Sequence, residues 1–190
     1  VGIETDIVLN DYNYIKSLSI EPDLSNLKNR IYVYGKNNTD ISRYNPLGLY
    51  VENYDYFINN GMSTSLSNAW TTYKNKINTL TPSFTSYVDQ LDVLTASLNT
   101  KKQELKNLKD QLVVIQQNMD GEKRKANTYT NTPEYNTYRV QEQNKLAEIN
   151  SKQSEINSVQ SQIDGVNVNI NSIRNQLTYE SNLLKHNYKN

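Results

Sequence analysis

Tyrosine is the side chain in this sequence best suited to recognition, because the chain has fifteen tyrosines, one histidine and no cysteine. Five of the tyrosines cluster early in the chain, at Tyr32, Tyr34, Tyr50, Tyr54 and Tyr56. If residues 50–58 form a strand, Tyr50, Tyr54 and Tyr56 share one face, because alternate side chains of a strand point the same way. This face would stack on a carbohydrate or dock a protein. The alternative, which we favour, is that these rings pack against a neighbouring helix.

Catalytic chemistry has little support in the residue types and spacings. The one histidine, His186, lies near the end of the chain, where no serine–histidine–aspartate arrangement can be recognised. Zinc, thiol and calcium-loop spacings do not occur, and Gly35 and Gly48 stand outside any phosphate-binding glycine motif. We therefore predict no catalytic residue, no metal site and no cofactor, and expect that the chain is not an enzyme.

Composition excludes other classes of partner. The 190 residues carry 20 basic and 20 acidic side chains, so the basic field expected of a nucleic-acid-binding protein is missing. The sequence has no apolar run of about 18 residues, so we predict no membrane span. The run Lys123-Arg124-Lys125 could contact an anionic cell-wall polymer, although a solvated turn is the favoured interpretation. Val1 stands where an initiator methionine would, so we expect a fragment without a visible signal peptide.

The elements that would position these residues follow from a seven-residue apolar repeat, which is typical of a helix that buries a narrow seam against another helix. The first arm carries two series, Trp70, Ile77, Phe84, Leu91, Leu98, Leu105, Leu112 and Met119, and Leu66, Tyr73, Leu80, Tyr87, Leu94, Lys101, Leu108 and Ile115. The second arm carries Ile149, Ile156, Ile163, Ile170, Leu177 and Leu184 with Val159, Val166 and Ile173.

The two arms can be matched as an antiparallel hairpin that folds back at Thr132. In this register the opposed pairs are Leu80 with Leu184, Tyr87 with Leu177, Leu91 with Ile173, Leu94 with Ile170, Leu98 with Val166, Leu105 with Val159, Leu108 with Ile156, and Ile115 with Ile149. Thr132 is a good N-cap and Pro133 a good first helical residue. Lys101 would then face Ile163, and Lys152 would face Leu112. Each arm is expected to reach roughly 60–80 Å.

The ends of the arms have their own signals. Ser63 is the expected N-cap of the first arm, and we expect a kinked but nearly continuous helix through Pro82, because the heptad phase is unbroken there. Gly121 could end the arm as a left-handed cap. If residues 122–125 remain helical, the tip is tighter, and the sequence leaves both alternatives open. Gly165 costs the second arm about 1 kcal/mol relative to alanine.

Residues 1–62 lack the repeat and are predicted to form a small β-rich module. Residues 15–20 are a weak strand candidate, residues 29–34 a stronger one, and residues 50–58 a third. Residues 35–40 and 44–48 are turn-rich. The predicted fold is therefore mostly α with a small β unit, with the module at 1–62, the antiparallel coiled-coil hairpin at 63–190, arms at about 63–120 and 133–185, and a tip at about 121–132.

Three strings in the module resemble a known family. They are Asn29-Arg-Ile-Tyr-Val-Tyr-Gly35, Asn45-Pro-Leu-Gly48 and Tyr50-Val-Glu-Asn-Tyr-Asp-Tyr-Phe57, followed by a helix with Trp70, a long heptad run and Leu177-Thr-Tyr-Glu-Ser-Asn182. Together they are similar to tail-tip minor structural proteins of phages and prophages of Gram-positive bacteria, related to the tail-associated lysin and prophage tail endopeptidase group. These motifs are structural, so no catalytic residue is carried over from the family.

The resemblance implies a component of the virion, located in the phage tail tip or baseplate. The implied partners are other tail-tip proteins, with a homotrimer in the assembled particle and contact with the cell wall. A different class of function, a bacterial surface adhesin whose tyrosines bind a glycan or protein, is the second hypothesis. The heptads leave the oligomeric state open among a lone hairpin, a trimer of hairpins and a parallel trimer of long helices.

Overall fold

The structure, a computed structural model, describes residues 30–33, 42–125 and 132–189, with side chains up to Leu184 in the last helix. Two short strands come first, β1 at Arg30–Tyr32 and β2 at Tyr50–Glu52. A single helical turn, α1, covers Asp55–Asn59, and two long helices follow, α2 at Thr64–Lys125 and α3 at Pro133–Lys189. The mostly helical fold with a small β unit is confirmed.

Both long helices begin where the capping residues predict. The Leu66 amide donates to Ser63 Oγ at 3.3 Å, and the Tyr135 amide donates to Thr132 Oγ1 at 3.1 Å. Each cap satisfies one of the backbone donors that the first turn of a helix leaves without an internal partner. Pro133 is the first residue of α3, where a missing amide hydrogen costs nothing.

The first arm is a single helix of 62 residues that includes Pro82. Continuity through Pro82 is confirmed, while the kink at this position stays a prediction. The helix also continues through Gly121 to Lys125, so of the two alternatives for the tip the tighter one is correct. Three basic residues occupy the last turn of α2, where positive charge is favourable beside the unpaired carbonyl groups. Residues 126–131 of the predicted tip lie outside the described residues.

The predicted seam is the interface between the two long helices. Buried residues of α2 are Trp70, Tyr73, Phe84, Val88, Leu98 and Leu105, and those of α3 are Ile156, Val159, Ile163, Val166, Ile170, Ile173, Leu177 and Ser181. All but Val88 and Ser181 were expected from the heptads. Two contacts give the relative direction of the helices: Phe84 lies under Arg174, and Gln116, further along α2, donates to Glu142, which comes earlier in α3. The hairpin is therefore antiparallel, and its packing is compatible with a coiled coil.

The register, however, differs from the prediction by one heptad. The ammonium group of Lys101 lies 2.5 Å from Glu155, which is next to Ile156, and not beside Ile163 as predicted. Lys152 pairs at 2.9 Å with Glu104, next to Leu105, and not with the level of Leu112. A shift of seven residues leaves the same residues in the interface between the helices. The predicted opposed pairs are therefore wrong, whereas the predicted interface residues are confirmed.

The shift arises because the predicted register was centred on Thr132, which is the N-cap of α3. The two helices are opposed about a level midway between the end of α2 at Lys125 and the start of α3 at Pro133, three to four residues before Thr132. Moving the point of reversal by half a heptad moves the opposed positions by a whole heptad.

Cross-linking of introduced cysteines would test this register, because the native chain contains none. With a short thiol cross-linker, Lys101→Cys with Glu155→Cys is expected to react efficiently within one chain. The matched pair is Lys101→Cys with Gln162→Cys, which occupies the same heptad position one repeat later, about 10 Å further along the axis. Efficient reaction of the second pair, with little reaction of the first, would restore the predicted register.

The prediction for residues 50–58 is wrong beyond residue 52, because β2 ends at Glu52 and residues 55–59 form the helical turn α1. Asn53 Oδ1 accepts the Asp55 amide at 2.8 Å and so turns the chain into the helix. Tyr54 and Ile58 pack against the core around Trp70, and this burial outweighs the strand preference of the aromatic residues. Residues 15–20, Tyr34 and the turn at 35–40 lie outside the described residues.

The two strands and the turn before β2 form a compact unit on the base of the hairpin. The strands are antiparallel, with Arg30 opposite Glu52 and Tyr32 opposite Tyr50. Asn45 shapes the turn, since its side chain bonds to the Leu47 amide and the Tyr50 carbonyl, and its own carbonyl accepts the Gly48 amide. Leu47 packs against the same core as Trp70. None of the described helices has the length and apolar character needed to cross a membrane.

Candidate functional site

The described members of the predicted tyrosine face do not share one surface, and its fifth member, Tyr34, lies outside the described residues. Tyr32 and Tyr50 do face each other across the sheet, with ring centroids 5.9 Å apart in an edge-to-face arrangement, and Tyr32 is 57% exposed. Tyr54 instead packs against the Trp70 ring at 4.4 Å. Tyr56 lies on α1 and contacts Phe57. The favoured interpretation, packing against a helix, therefore describes Tyr54, whereas Tyr32 is left available at the surface.

The polar centre of this region is an ion pair that joins the two strands. Arg30 Nε donates to Glu52 Oε1 at 2.8 Å, and the Arg30 guanidinium lies 4.3 Å from the centroid of the Tyr50 ring. The Glu52 side chain is only 2% exposed, against 26% for Arg30. Burial by itself lowers the pKa of Arg30, but the Glu52 carboxylate outweighs it and raises that pKa, so the guanidinium stays charged.

A tyrosine of the hairpin completes this polar centre. The Tyr73 side chain is 1% exposed, and its hydroxyl lies among Tyr50, Glu52 and the Ser181 hydroxyl. The β unit, α2 and α3 therefore each contribute a polar group to one buried cluster, defined here as the joint cluster of Arg30, Glu52, Tyr50, Tyr73 and Ser181. Within the cluster Arg30 is hydrogen-bonded to Glu52 Oε1, whereas Glu52 Oε2 and the Tyr73 hydroxyl have no hydrogen-bond partner. The β unit is held on the helices by the packing of Leu47 and Tyr54 against the core around Trp70.

Three basic residues fasten the outside of the same joint. Arg174 Nη2 donates to the Ser42 carbonyl at 2.6 Å, and its guanidinium lies 5.4 Å from the centroid of the Phe84 ring. Arg43 pairs with Asp92 of α2, and Lys74 lies 3.6 Å from Asp55 of α1. The exposed pairs contribute little free energy individually. The bond from Arg174 is partly buried and acts over 132 positions of sequence, so it fixes where the turn sits on the hairpin.

A cavity of ≈ 160 Å³ lies beside Arg174 where the turn meets α3. Its lining consists of Ser42, Pro46, Leu47, Gly48, Tyr50, Arg174, Leu177 and Thr178. The lining contains hydroxyl groups but no histidine, carboxylate or thiol that could activate them. Within residues 30–33, 42–125 and 132–184, no cluster of three potential metal-binding side chains occurs either. The His186 side chain lies outside the described residues.

The basic run at the end of α2 is partly neutralised by its own helix. Lys123 lies 3.4 Å from Asp120 and Lys125 lies 2.9 Å from Glu122. The hydrogen bond that Lys125 donates to Glu122 raises the pKa of Lys125. Lys123 also lies 5.5 Å from the centroid of the Tyr135 ring in α3. These contacts favour the interpretation of a solvated helix end over an anion-binding patch.

Sequence reasoning missed the charged residues of the joint. Arg30 and Glu52 carried a signal, because each is the charged member of an otherwise apolar and aromatic strand segment. Arg174 is the one charged residue between Gly165 and Tyr179, and an isolated charge in a long neutral run indicates a specific partner. No signal identified Ser181, whose hydroxyl is buried by contacts from distant parts of the chain.

Because Tyr73 is buried, we predict that the stability of the fold decreases with pH in the alkaline range. Burial raises the pKa of Tyr73 well above 10, and the neighbouring Tyr50 and Glu52 raise it further. Because the unfolded chain then releases its proton first, stability is complete below about pH 10 and falls as pH rises. Relative to Tyr73→Phe, the native chain should lose up to about 1.4 kcal/mol per pH unit above that point.

Denaturant unfolding at about pH 8, 10 and 11 would measure this difference, since these values bracket the ordinary tyrosine pKa. Tyr44→Phe is the matched control, because it removes the same hydroxyl group from an exposed tyrosine. The explanation fails if Tyr73→Phe and Tyr44→Phe lose stability in parallel with the native chain.

Comparison with known proteins gave no identification: the chain matches no protein-family model, no curated protein and no solved structure.

Proposed function

We propose that the chain is a structural component of a phage or prophage tail tip or baseplate, in which the hairpin is a rigid spacer or docking arm. The observation that carries this proposal is the hairpin itself, two helices of 62 and 57 residues paired in one antiparallel arm. At 1.5 Å per residue the arm is about 85 Å long. The resemblance in the strand and turn motifs supplies the phage assignment, and the attachment role follows from the joint.

The arrangement of the joint supports a role in transmitting orientation. The β unit is held on the helices by the packing of Leu47 and Tyr54 and by the bond from Arg174 to Ser42. Because the β unit contacts both helices at the base of the hairpin, the hairpin keeps a fixed direction relative to the β unit. Other tail-tip proteins, a homotrimer of this chain and the cell wall are the partners that belong to this proposal, with the virion as the location.

A paired deletion would test the spacer role in a phage that encodes the chain. Removing residues 98–111 together with 146–159 takes two heptads from each arm in the observed register and shortens the arm by about 21 Å. We expect particles that contain the shortened protein by mass spectrometry but have lost most of their infectivity. Removal of 98–111 alone is the control, because it destroys the register and should prevent incorporation.

The two parts of the proposal have separate outcomes. Absence of the native protein from purified virions would reject the tail-tip assignment altogether. Normal infectivity of particles that contain the paired deletion would retain the assignment and reject the spacer role. Light scattering of the purified chain measures the proposed trimer independently. Turnover of peptidoglycan by this chain would replace the structural proposal with an enzymatic one.

A surface adhesin is the second candidate, favoured by one observation. Tyr32, whose ring lies against Tyr50, and Tyr44 are exposed on the β unit, and exposed aromatic rings are suited to contact with a glycan or protein. A glycan array with Tyr32→Ala as the binding-defective variant would test it. Tyr54→Ala is unsuitable, because Tyr54 packs on Trp70. Binding that is unchanged by Tyr32→Ala would count against this surface.

A further inference from the structure

Burial is unevenly distributed along the hairpin. The last buried residue of α2 is Leu105, although the helix continues for twenty residues to Lys125. The first buried residue of α3 is Ile156, although the helix begins at Pro133. We define residues 106–125 and 133–155 as the distal hairpin, and residues 64–105 and 156–184 as the proximal hairpin. No residue of the distal hairpin is buried.

The sequence of α3 explains the difference. The seam positions of its distal part are mostly long and polar, namely Tyr135, Tyr138, Glu142, Lys145 and Lys152, with Ile149 as the one aliphatic member. The opposing positions of α2 are apolar and half-buried, namely Leu108, Leu112, Ile115 and Met119. The apolar residues of α2 therefore contact few aliphatic side chains of α3. As a result, their apolar area is only partly removed from water.

A layer of charges separates the two parts of the hairpin. Lys152 bridges Glu104 and Glu155, both at 2.9 Å, and Lys101 reaches Glu155 at 2.5 Å. The lysines hold the pKa of Glu155 below its usual value. Such solvent-accessible ion pairs add little to the stability of the hairpin, and their main effect is on the register of the two helices. The buried apolar cluster of Leu98, Leu105, Ile156 and Val159 begins at this layer, and Ile149 is the residue of the distal hairpin that packs against it.

We propose that the distal hairpin opens as one cooperative unit while the proximal hairpin stays folded, with the charge layer as the boundary. Most helical stability in proteins comes from the packing of an apolar face rather than from the helix itself, so the distal helices depend on their incomplete seam. Segments with few buried apolar contacts open with lower free energy than the global transition. Opening exposes the apolar face of α2 formed by Leu108, Leu112, Ile115 and Met119. The inference does not depend on the phage assignment.

Hydrogen exchange of the intact chain tests the proposal. Amide protection is expected to be at least about tenfold lower across 106–120 than across 84–105, at a similar level throughout the segment. Residues 138–152 of α3 should show the same protection as 106–120, because both helices open together. Equal protection in the two parts of the hairpin would overturn the proposal. So would a steady decline toward Lys125, since this pattern is fraying of a helix end.

Two matched isoleucine variants add a second measurement. Ile115→Ala removes a half-buried side chain of the distal hairpin; it should lower distal protection further and leave the thermal midpoint reported by Trp70 fluorescence unchanged. Ile163→Ala removes a buried side chain of the proximal hairpin and should lower that midpoint by several degrees. Ser154→Ala, at an exposed position of α3, should change neither observable. Equal shifts of the Trp70 midpoint by Ile115→Ala and Ile163→Ala would show a single cooperative hairpin and overturn the proposal.

Discussion

Replacing Phe84 by alanine is expected to lower the free energy of unfolding by about 3–5 kcal/mol, the range for a fully buried phenylalanine. The Phe84 side chain is 0% exposed and belongs to the cluster that includes Trp70, Tyr73 and Leu177. Its removal leaves a cavity at the level where the turn residue Leu47 also packs. It also takes away the ring beneath the Arg174 guanidinium. The variant should therefore loosen the β unit together with the helices.

Guanidinium unfolding followed by Trp70 fluorescence measures this effect locally, because Trp70 is the one tryptophan of the chain and lies in the same cluster. Val93→Ala is the control on the same helix. Val93 is 70% exposed, so its truncation should change stability by less than about 0.5 kcal/mol. A loss below about 1 kcal/mol for Phe84→Ala would contradict the burial assigned to this residue.

The hairpin was predictable from the sequence because its signals are local and repeated. A seam residue every three to four positions specifies which face is buried, and Ser63 and Thr132 mark the helix starts through their own side chains. The register was less predictable for the same reason. Sliding one arm by seven residues brings equivalent seam positions together, so apolar matching alone cannot choose. The end of α2 at Lys125 and the pairing of Lys101 with Glu155 make the choice.

The β unit shows the limit of local reasoning in another way. Residues 54–58 are aromatic and favour a strand by propensity, but Tyr54 and Ile58 gain more by packing on Trp70 from a helical turn. Such tertiary burial depends on residues more than ten positions away, which no local pattern contains. The same holds for Arg174 and Ser42, which meet across 132 positions.

The buried ion pair of the joint predicts the second large effect. Glu52→Leu removes the carboxylate and leaves the Arg30 guanidinium over the Tyr50 ring without its acid. Loss of one partner of a buried pair costs about 3–5 kcal/mol. The Arg30 side chain is 26% exposed, so water can solvate part of the unpaired guanidinium. We therefore expect Glu52→Leu to lower the free energy of unfolding by about 2–3 kcal/mol. Denaturant midpoints of the native chain and the variant measure it.

A double-mutant cycle separates the charge from the packing. Replacing both partners, as Arg30→Met with Glu52→Leu, removes the unpaired guanidinium, so it should restore most of the stability lost in Glu52→Leu. The matched surface variant is Glu104→Leu. Its partner Lys152 still pairs with Glu155, so we expect little change in the free energy of unfolding. If the double variant is less stable than Glu52→Leu alone, Arg30 stabilises the joint without the Glu52 carboxylate, through its contact with the Tyr50 ring, and the unpaired charge does not explain the loss. If it recovers, hydrophobic contacts around Trp70 hold the joint, and the pair serves to select one strand register.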